Sequence, residues 1–429
     1  MKIFLSIKSS LLLLLAGAVF FSACNKLEVA PTPLPSSQQT SPTLAELLDD
    51  PGFSLLKAAV TKAGLMPALS NTAARFTVFA PDDVAITASL TPILPPGVTP
   101  AMYIAGLTQV QAAQLIQYHV LPQVVKAATI GNRFPNFDYP TLLNPAPSVS
   151  PLLRLNSYPS VRPGVGAWVN NVPITAADIE AVNGVVHKVF RIVMPPSTDL
   201  WAKIQGESDL SYLRAAIARA DSGVAAGARL QDALNIAVNP SSIAANLTVF
   251  APTDAAMSAF VTGAITQALV GQGFPLATAQ AVAGGLVGAF GPTIISNPSS
   301  IPDVPPIPPG TNIGARLAAV LTPTLAKGIV AYHIIASQSG TYGPPGLRVF
   351  SVNLPTTATT VKTLLNSAVS VHPGVTVQAS FASPVPGISV VTGATVKGAA
   401  NATASNITSA DSHHVNGVLH KIDQVLLPQ

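Results

Sequence analysis

The chain has 429 residues, of which only 9% are charged, with 40 prolines and a single cysteine. That length leaves room for two domains with separate cores, and one cysteine excludes an internal disulfide, so packing alone must hold them. A formal charge of +4 with no basic run, and no aromatic residues interleaved with arginine, excludes a nucleic-acid surface.

Lys2 and Lys8 flank the start of an apolar run, Leu11 to Phe21, that has signal-peptide length and is too short for a comfortable membrane span. It ends in Phe21-Ser-Ala-Cys24, where small residues precede the lone cysteine. This resembles a bacterial lipobox, although Phe21 stands where that motif more often has Leu. The alternative is an ordinary signal peptide followed by an incidental cysteine. The resemblance implies cleavage after residue 23, lipidation of Cys24 and a membrane anchor. Asn25 in place of Asp disfavours inner-membrane retention by the same analogy. The implied location is an outer-membrane lipoprotein of the bacterial cell envelope, surface-exposed or periplasm-facing. Residues 25–42 are mostly Pro, Ser, Thr and Gln without apolar periodicity, the composition of a flexible tether.

A first domain is expected over 43–196. Thr43-Leu-Ala-Glu46 reads as a capping box, and Phe53 to Ala63 as a helix with Leu56 and Val60 on one face. Phe76-Thr-Val-Phe-Ala-Pro-Asp-Asp83 reads as a buried strand that stops at Pro and starts a helix. Thr108 to Val120 is a helix ending in Tyr118-His119. Beyond Val124 the pattern turns to short β-rich runs: 140–143, 152–155, 167–169 and 184–192. Helices first and strands later argue α+β.

The same landmarks return in order over 197–429. Phe53-Ser-Leu-Leu-Lys reappears as Leu210-Ser-Tyr-Leu-Arg, and the strand as Leu247-Thr-Val-Phe-Ala-Pro-Thr-Asp254. Tyr118-His119 returns as Tyr332-His333, and Asn183-Gly-Val-Val-His187 as Asn416-Gly-Val-Leu-His420. Four ordered landmarks make this a tandem repeat. The displacement between copies grows from 171 residues (Phe76 to Leu247) to 214 (His119 to His333) and 233 (Asn183 to Asn416). About 43 residues are therefore inserted before Tyr332 and about 19 more before Asn416. The larger insertion, around 261–312, is Gly/Ala-rich and then Pro-rich. It is expected to be a packed surface excursion, with its Gly284-Gly285 and Gly288 serving close helix packing. A membrane span is the alternative, although Gln and Pro interrupt its apolar windows.

The strand Thr-Val-Phe-Ala-Pro-Thr-Asp-Ala-Ala, Tyr-His after a helix, and the closing Asn-Gly-Val-x-His together resemble the fasciclin domain, twice over. The resemblance implies two tandem domains of α+β class, each a wedge-shaped β-sandwich with helices packed on one edge. It also implies adhesion or matrix binding by a surface-anchored protein. In some animal members an Asp-Ile pair ahead of Asn-Gly-Val, and the Tyr-His region, are implicated in receptor binding. The matching candidates are Asp178, Ile179, Tyr118 and His119 in the first copy, and Asp411, Tyr332 and His333 in the second, where Ser412 replaces Ile. Only the position carries over, not the ligand.

Catalytic chemistry finds little support. There is no Gly-x-Ser-x-Gly elbow, phosphate loop or dinucleotide fingerprint. Because His119, His187, His333 and His420 recur among similar neighbours, they read as core hydrogen-bonding groups rather than metal ligands; His413 and His414 with His420 are the alternative metal set. Asp82, Asp83, Thr253 and Asp254 read as helix caps rather than acids, and Asn183, Gly184, Asn416 and Gly417 as structural turns. The Asn-x-Thr triplets at Asn246, Asn401 and Asn406 matter only in a eukaryotic secretory route. The expectation is a non-enzymatic protein without cofactor or metal, held to a membrane through Cys24, whose partner is a cell-surface or matrix protein or polysaccharide. A glycan- or solute-binding lipoprotein, with the insertion as a pocket wall, is the alternative.

Overall fold

The computed structural model describes residues 41–131, 134, 137–241, 245–303, 305, 307, 310–335, 348–385 and 388–429. The leader, Cys24 and the tether through residue 40 lie outside the described residues. From Ser41 to Gln429 the chain forms one compact unit.

Thr43 opens α1 (Leu44–Leu47) with both bonds of a capping box: its hydroxyl accepts the Glu46 N–H, and Glu46 accepts its own N–H. Helices α2 (Ser54–Lys62) and α3 (Met66–Ser70) lead into β1 (Phe76–Pro81). Asp82 caps α4 (Asp83–Leu90) through the Ala85 N–H at 2.9 Å. Helices α5 (Pro100–Gly106) and α6 (Gln109–Tyr118) complete the helical layer, and β2 (Val120–Leu121) follows directly. A small ribbon of β3 (Tyr139–Pro140) and β4 (Asn156–Ser157) precedes β5 (Pro159–Arg162), β6 (Gly166–Val169), β7 (Val172–Ala181) and β8 (Gly184–Val189). The sheet order is β2-β1-β8-β7-β6-β5, with β1 and β8 parallel and the other pairs antiparallel.

Strand β1 is covered on both faces, which explains its uninterrupted apolar sequence. Val78 and Ala80 enter the core beneath the helices, with Leu56, Ile86 and Ile116. Phe79 points the other way, into a second core with Tyr118, Leu121, Val169 and Ile174.

The second half repeats this plan. Helices α7 (Leu200–Gly206), α8 (Ser211–Ala220) and α9 (Leu230–Leu234) precede the central strand β9 (Leu247–Pro252). Then come α10 (Asp254–Val270), α11 (Leu276–Phe290), α12 (Thr293–Ser296), α13 (Ile313–Val320) and α14 (Pro323–Tyr332). The strands are β10 (Ile334–Ile335), β11 (Thr359–Val361), β12 (Val375–Val385), β13 (Ile388–Lys397), β14 (Ser405–His414) and β15 (Gly417–Ile422). Their order, β10-β9-β15-β14-β13-β12-β11, reproduces the first sheet with one further edge strand, and β9 and β15 are again parallel. In both halves one long strand, β7 or β14, shifts register around an aspartate with positive φ, Asp178 or Asp411. Such bulges bend the strand, so its two ends pair with different neighbours. The α+β class and the tandem repeat are therefore as expected.

Three local expectations change. Residues 152–155 are not a strand: Leu152 is exposed, and only Leu155 joins the core. The insertion is not a surface excursion. It extends α10 and pairs it with α11, so that Ile265, Leu269, Val282, Leu286 and α12's Ile294 share one core with β9. Gly284, Gly285 and Gly288 do not serve close packing, because a Cβ at any of them would meet nothing within 4 Å. Among the described residues no single helix is long and apolar enough to cross a membrane. The bent pair α13–α14 meets the test by length and composition, but Leu317 and Val330 lie in the core. The second, smaller insertion lengthens a hairpin: β12 and β13 have 11 and 10 residues where β5 and β6 have 4 each.

Candidate functional site

The repeated polar residues form the same internal framework in each half. Asn183 accepts the Leu44 N–H at 2.9 Å and donates to the Leu69 carbonyl at 2.7 Å, while its own carbonyl accepts the Phe76 N–H. Asn416 does the same for Leu200, Leu234 and Leu247. One buried amide thus ties two helices to the start of the central strand. A Cβ on Gly184 would stand 2.1 Å from the Phe76 oxygen, and one on Gly417 2.4 Å from that of Leu247, so the parallel pairing needs glycine at both. Thr253 caps α10 as Asp82 caps α4. Asp83 and Asp254 instead reach across to cap the start of α2 and α8, accepting from Ser54 and Leu55, and from Ser211 and Tyr212.

The four repeated histidines are buried and doubly bonded. His119 Nδ1 contacts the Leu115 carbonyl at 2.8 Å, and Nε2 accepts the Val193 N–H at 3.0 Å. His333 sits between the Ile329 carbonyl and the Leu426 N–H in the same way. His187 Nδ1 accepts the Asp178 N–H and Nε2 meets the Val125 carbonyl; His420 repeats this with Asp411 and Val349. A ring that faces one donor and one acceptor must be neutral. Burial accordingly pushes His119 and His333 down to about 4 and lowers His187 and His420. The rings occupy separate niches, and no group of three metal-ligating side chains comes together among the described residues.

The candidate binding residues are mostly internal, which corrects their reading as a contact surface. Tyr118 and Tyr332 are fully buried. Tyr118 Oη donates to the Asn156 carbonyl and accepts from Asn170, and burial raises it to about 12. Tyr332 bonds the Gly374 carbonyl and accepts the Ala399 N–H. Asp178 accepts the Ala127 N–H with its side chain 35% exposed, while Ile179 packs against the first core. Asp411, 10% exposed, accepts both the N–H and the hydroxyl of Ser351. These aspartates tie the segments at Ala127 and Ser351 to the bulges of β7 and β14.

What the sequence did not reveal is the seam between the halves. Arg348, only 3% exposed, donates to His413 Nε2 at 2.8 Å, the carbonyls of His414 and Val415 at 2.9 Å, and Asn246 Oδ1 at 3.0 Å. Tyr158 from the first half donates to the same Asn246 oxygen at 2.7 Å, and the guanidinium lies 5.2 Å from its ring centre. Burial, aided by the neighbouring Arg348 charge, holds His413 well below the usual histidine range. Burial likewise brings His414 down to about 4, and its ring meets Thr198 and Ser412. Arg162 crosses the other way to the Leu354 carbonyl at 2.7 Å and stacks on Phe381. The sequence marked this region only through Asn246, read as a glycosylation triplet, and His413 and His414, read as an alternative metal set.

Beside the seam lies a cleft of about 550 Å³ walled by both halves. Asn171, Phe190 and Met194 line it from the first, and Ser351, Val390 and Asp411 from the second. Phe190 (41%), Met194 (53%) and Val390 (40%) are exposed apolar side chains, and the Arg191 guanidinium flanks Phe190 at 5.9 Å. Of the candidate binding residues, the structure brings only Asp411 to this cleft.

The Fasciclin domain family profile matches residues 51–195. Protein sll1483 of Synechocystis sp. is 30% identical over 144 residues, which cover 34% of this chain and 68% of that protein. Uncharacterized protein sll1735 of the same organism is 29% identical over 161 residues, 36% of this chain and 98% of that one. Among solved structures, a FAS1 domain pair from the insect cell adhesion molecule Fasciclin I aligns over 90% of this chain and 95% of that chain, with 15% identity and a TM-score of 0.29. With the profile lying over the first set of framework residues, and the second half rebuilding the same amide, glycine and histidine contacts, the chain belongs to the fasciclin-domain family.

Proposed function

We propose that this protein is a non-enzymatic binding protein of the bacterial cell envelope, anchored by a lipid on Cys24, that displays its two domains for adhesion. Its partner on this reading is a cell-surface or matrix protein or polysaccharide. Fasciclin domains are in general non-catalytic adhesion modules. The observation that carries the proposal is the division of labour among side chains. The repeated Asn, His, Asp and Tyr residues are engaged internally, while the seam cleft presents Phe190, Met194 and Val390 to solvent beside Arg191. Exposed apolar anchors with a neighbouring arginine are the composition of a protein-contact centre.

The cleft volume also falls in the range of small-molecule sites, which favours a glycan or solute as the second reading. Trp168 on its wall is only 1% exposed, however, so Phe190 is left as the aromatic platform. A glycan array bearing the intact domain pair separates the two readings: hits lost on Phe190→Ala support the solute reading.

For adhesion, the test is attachment of cells making the Phe190→Ala/Val390→Ala chain to a matrix that retains cells making the unmodified chain. Both side chains are partly exposed, so folding is expected to persist. Binding should weaken about tenfold, the effect of losing roughly 1.4 kcal/mol of contact. Unchanged attachment with normal surface amounts would remove the cleft from the account.

A further inference from the structure

The helical layer of the first half holds a second cavity, which adjoins the seam cleft through Ile192 and Met194 but differs from it in chemistry. It measures about 170 Å³ and lies among α2, α4, α5 and α6. Leu56, Ala59, Ile86, Leu90, Ile104 and Ile116 make its floor. Among the described residues its lining has no Lys, Arg, Asp or Glu, and its one histidine, His119, has both ring nitrogens bonded to backbone. The rim is polar but uncharged: Tyr103, Gln111 and Gln114, with the Gln111 amide oxygen engaged by the Thr108 N–H. Met194 stands beside them, 53% exposed.

The second half shows what the fold does when this space is not kept. There α8, the counterpart of α2, carries α12 from the insertion, and Ile294 and Ile295 are buried in the shared core. Between α10 and α13 only about 30 Å³ remains. The rim is replaced as well: the positions matching Tyr103, Gln111 and Gln114, counted from Tyr118 and Tyr332, are Leu317, Leu325 and Gly328. The apolar space and its polar uncharged mouth therefore occur together in one copy and are lost together in the other. An apolar cavity of ~150 Å³ stays dry and takes up benzene-sized molecules, so a space of this size and lining is a fitting receptacle.

We propose that the first domain binds a small neutral hydrophobe, an aromatic or short aliphatic group of roughly benzene-to-indole size, with any hydroxyl or amide directed to the Tyr103, Gln111 and Gln114 rim. A carboxylate or ammonium is excluded because the floor holds no opposite charge and would strip its hydration. Ile192 and Met194 line both this cavity and the seam cleft, but the cleft touches no residue of α2, α4, α5 or α6, so reporters on those helices test the cavity apart from the adhesion proposal.

The test is a titration of the full mature chain, labelled at isoleucine methyl groups, with indole and with indole-3-acetate as the charged control. Ile86, Ile104 and Ile116 should shift and saturate with indole, while Ile265, Ile294 and Ile313 of the second half stay fixed; a shift at Ile192 alone would mark binding in the seam cleft and overturn the proposal. Indole-3-acetate should bind at least about tenfold more weakly. Ala59→Phe, which fills the floor, should abolish the shifts without lowering the thermal midpoint. If that variant does not fold, the methyl pattern of the unmodified chain still decides. No saturable shift, equal shifts in both halves, or equal affinity for the charged control would overturn the proposal.

Discussion

Between pH 7 and pH 5 the protein is expected to lose about 5–6 kcal/mol of stability, as much as the whole stability of many domains. The cause is a set of buried neutral histidines, not a salt bridge. His119, His333 and His414 each have a folded-state value of about 4, below the ordinary unfolded value of 6.5. The unfolded chain therefore takes up protons first as pH falls. Stability is complete above about pH 6.5, declines through the window down to about 4, and levels off below it. Each of the three contributes about 2 kcal/mol by pH 5. His187, His413 and His420 are shifted in the same direction and steepen the fall. The geometry gives the reason independently: a proton added at His119 Nε2 or His333 Nε2 would face a backbone N–H. Urea midpoints measured from pH 7.5 to 4.5 check this, and His333→Gln should flatten the profile by one histidine's share. A midpoint independent of pH across that window would contradict it.

Asn416→Ala should destabilise the second half by about 3–5 kcal/mol. The substitution removes the acceptor for the Leu200 N–H and the donor to the Leu234 carbonyl, and both contacts are buried. A stranded buried backbone group costs about 1–3 kcal/mol, and alanine leaves room without supplying a partner. Asn183→Ala should act alike on the first half through Leu44 and Leu69. Asn401 is the useful comparison. It also bonds backbone, at Val425 and Leu427, but in a half-buried position where water can replace it, so Asn401→Ala should cost about 1 kcal/mol. Denaturant unfolding of the three variants, with amide exchange at Leu200 and Leu44, distinguishes the sites. Equal and small effects at all three would show that the amides are not the ties described.

The repeated residues were the legible part of the sequence, because each carries a local rule. A short apolar run stopped by Pro and a capping residue marks β1 and β9, and an Asn-Gly pair before alternating apolar residues marks β8 and β15. The long bulged strands β7 and β14 were not legible. Val172 to Ala181 mixes Ala, Thr, Asp and Glu with few apolar residues, and its single left-handed residue, Asp178, breaks the alternation that signals a strand. The seam was invisible for a different reason. Arg348, Asn246, Tyr158 and His413 are far apart in sequence and unlike between copies, so neither periodicity nor repetition marks them. Tyr118-His119 illustrates the opposite hazard: its repetition was plain, but repetition indicated a core position rather than a contact surface.

The proposed reading is an outward-facing pair of fasciclin-family domains, held to the envelope by a lipid on Cys24. Its most direct test is protease shaving of intact cells, followed by mass spectrometry of the released peptides. Peptides from both halves should be released, including those around Asn171 and Val390 at the cleft, and a Cys24→Ala variant should lose its association with cells. Complete protection in cells whose control surface proteins are cut would contradict it.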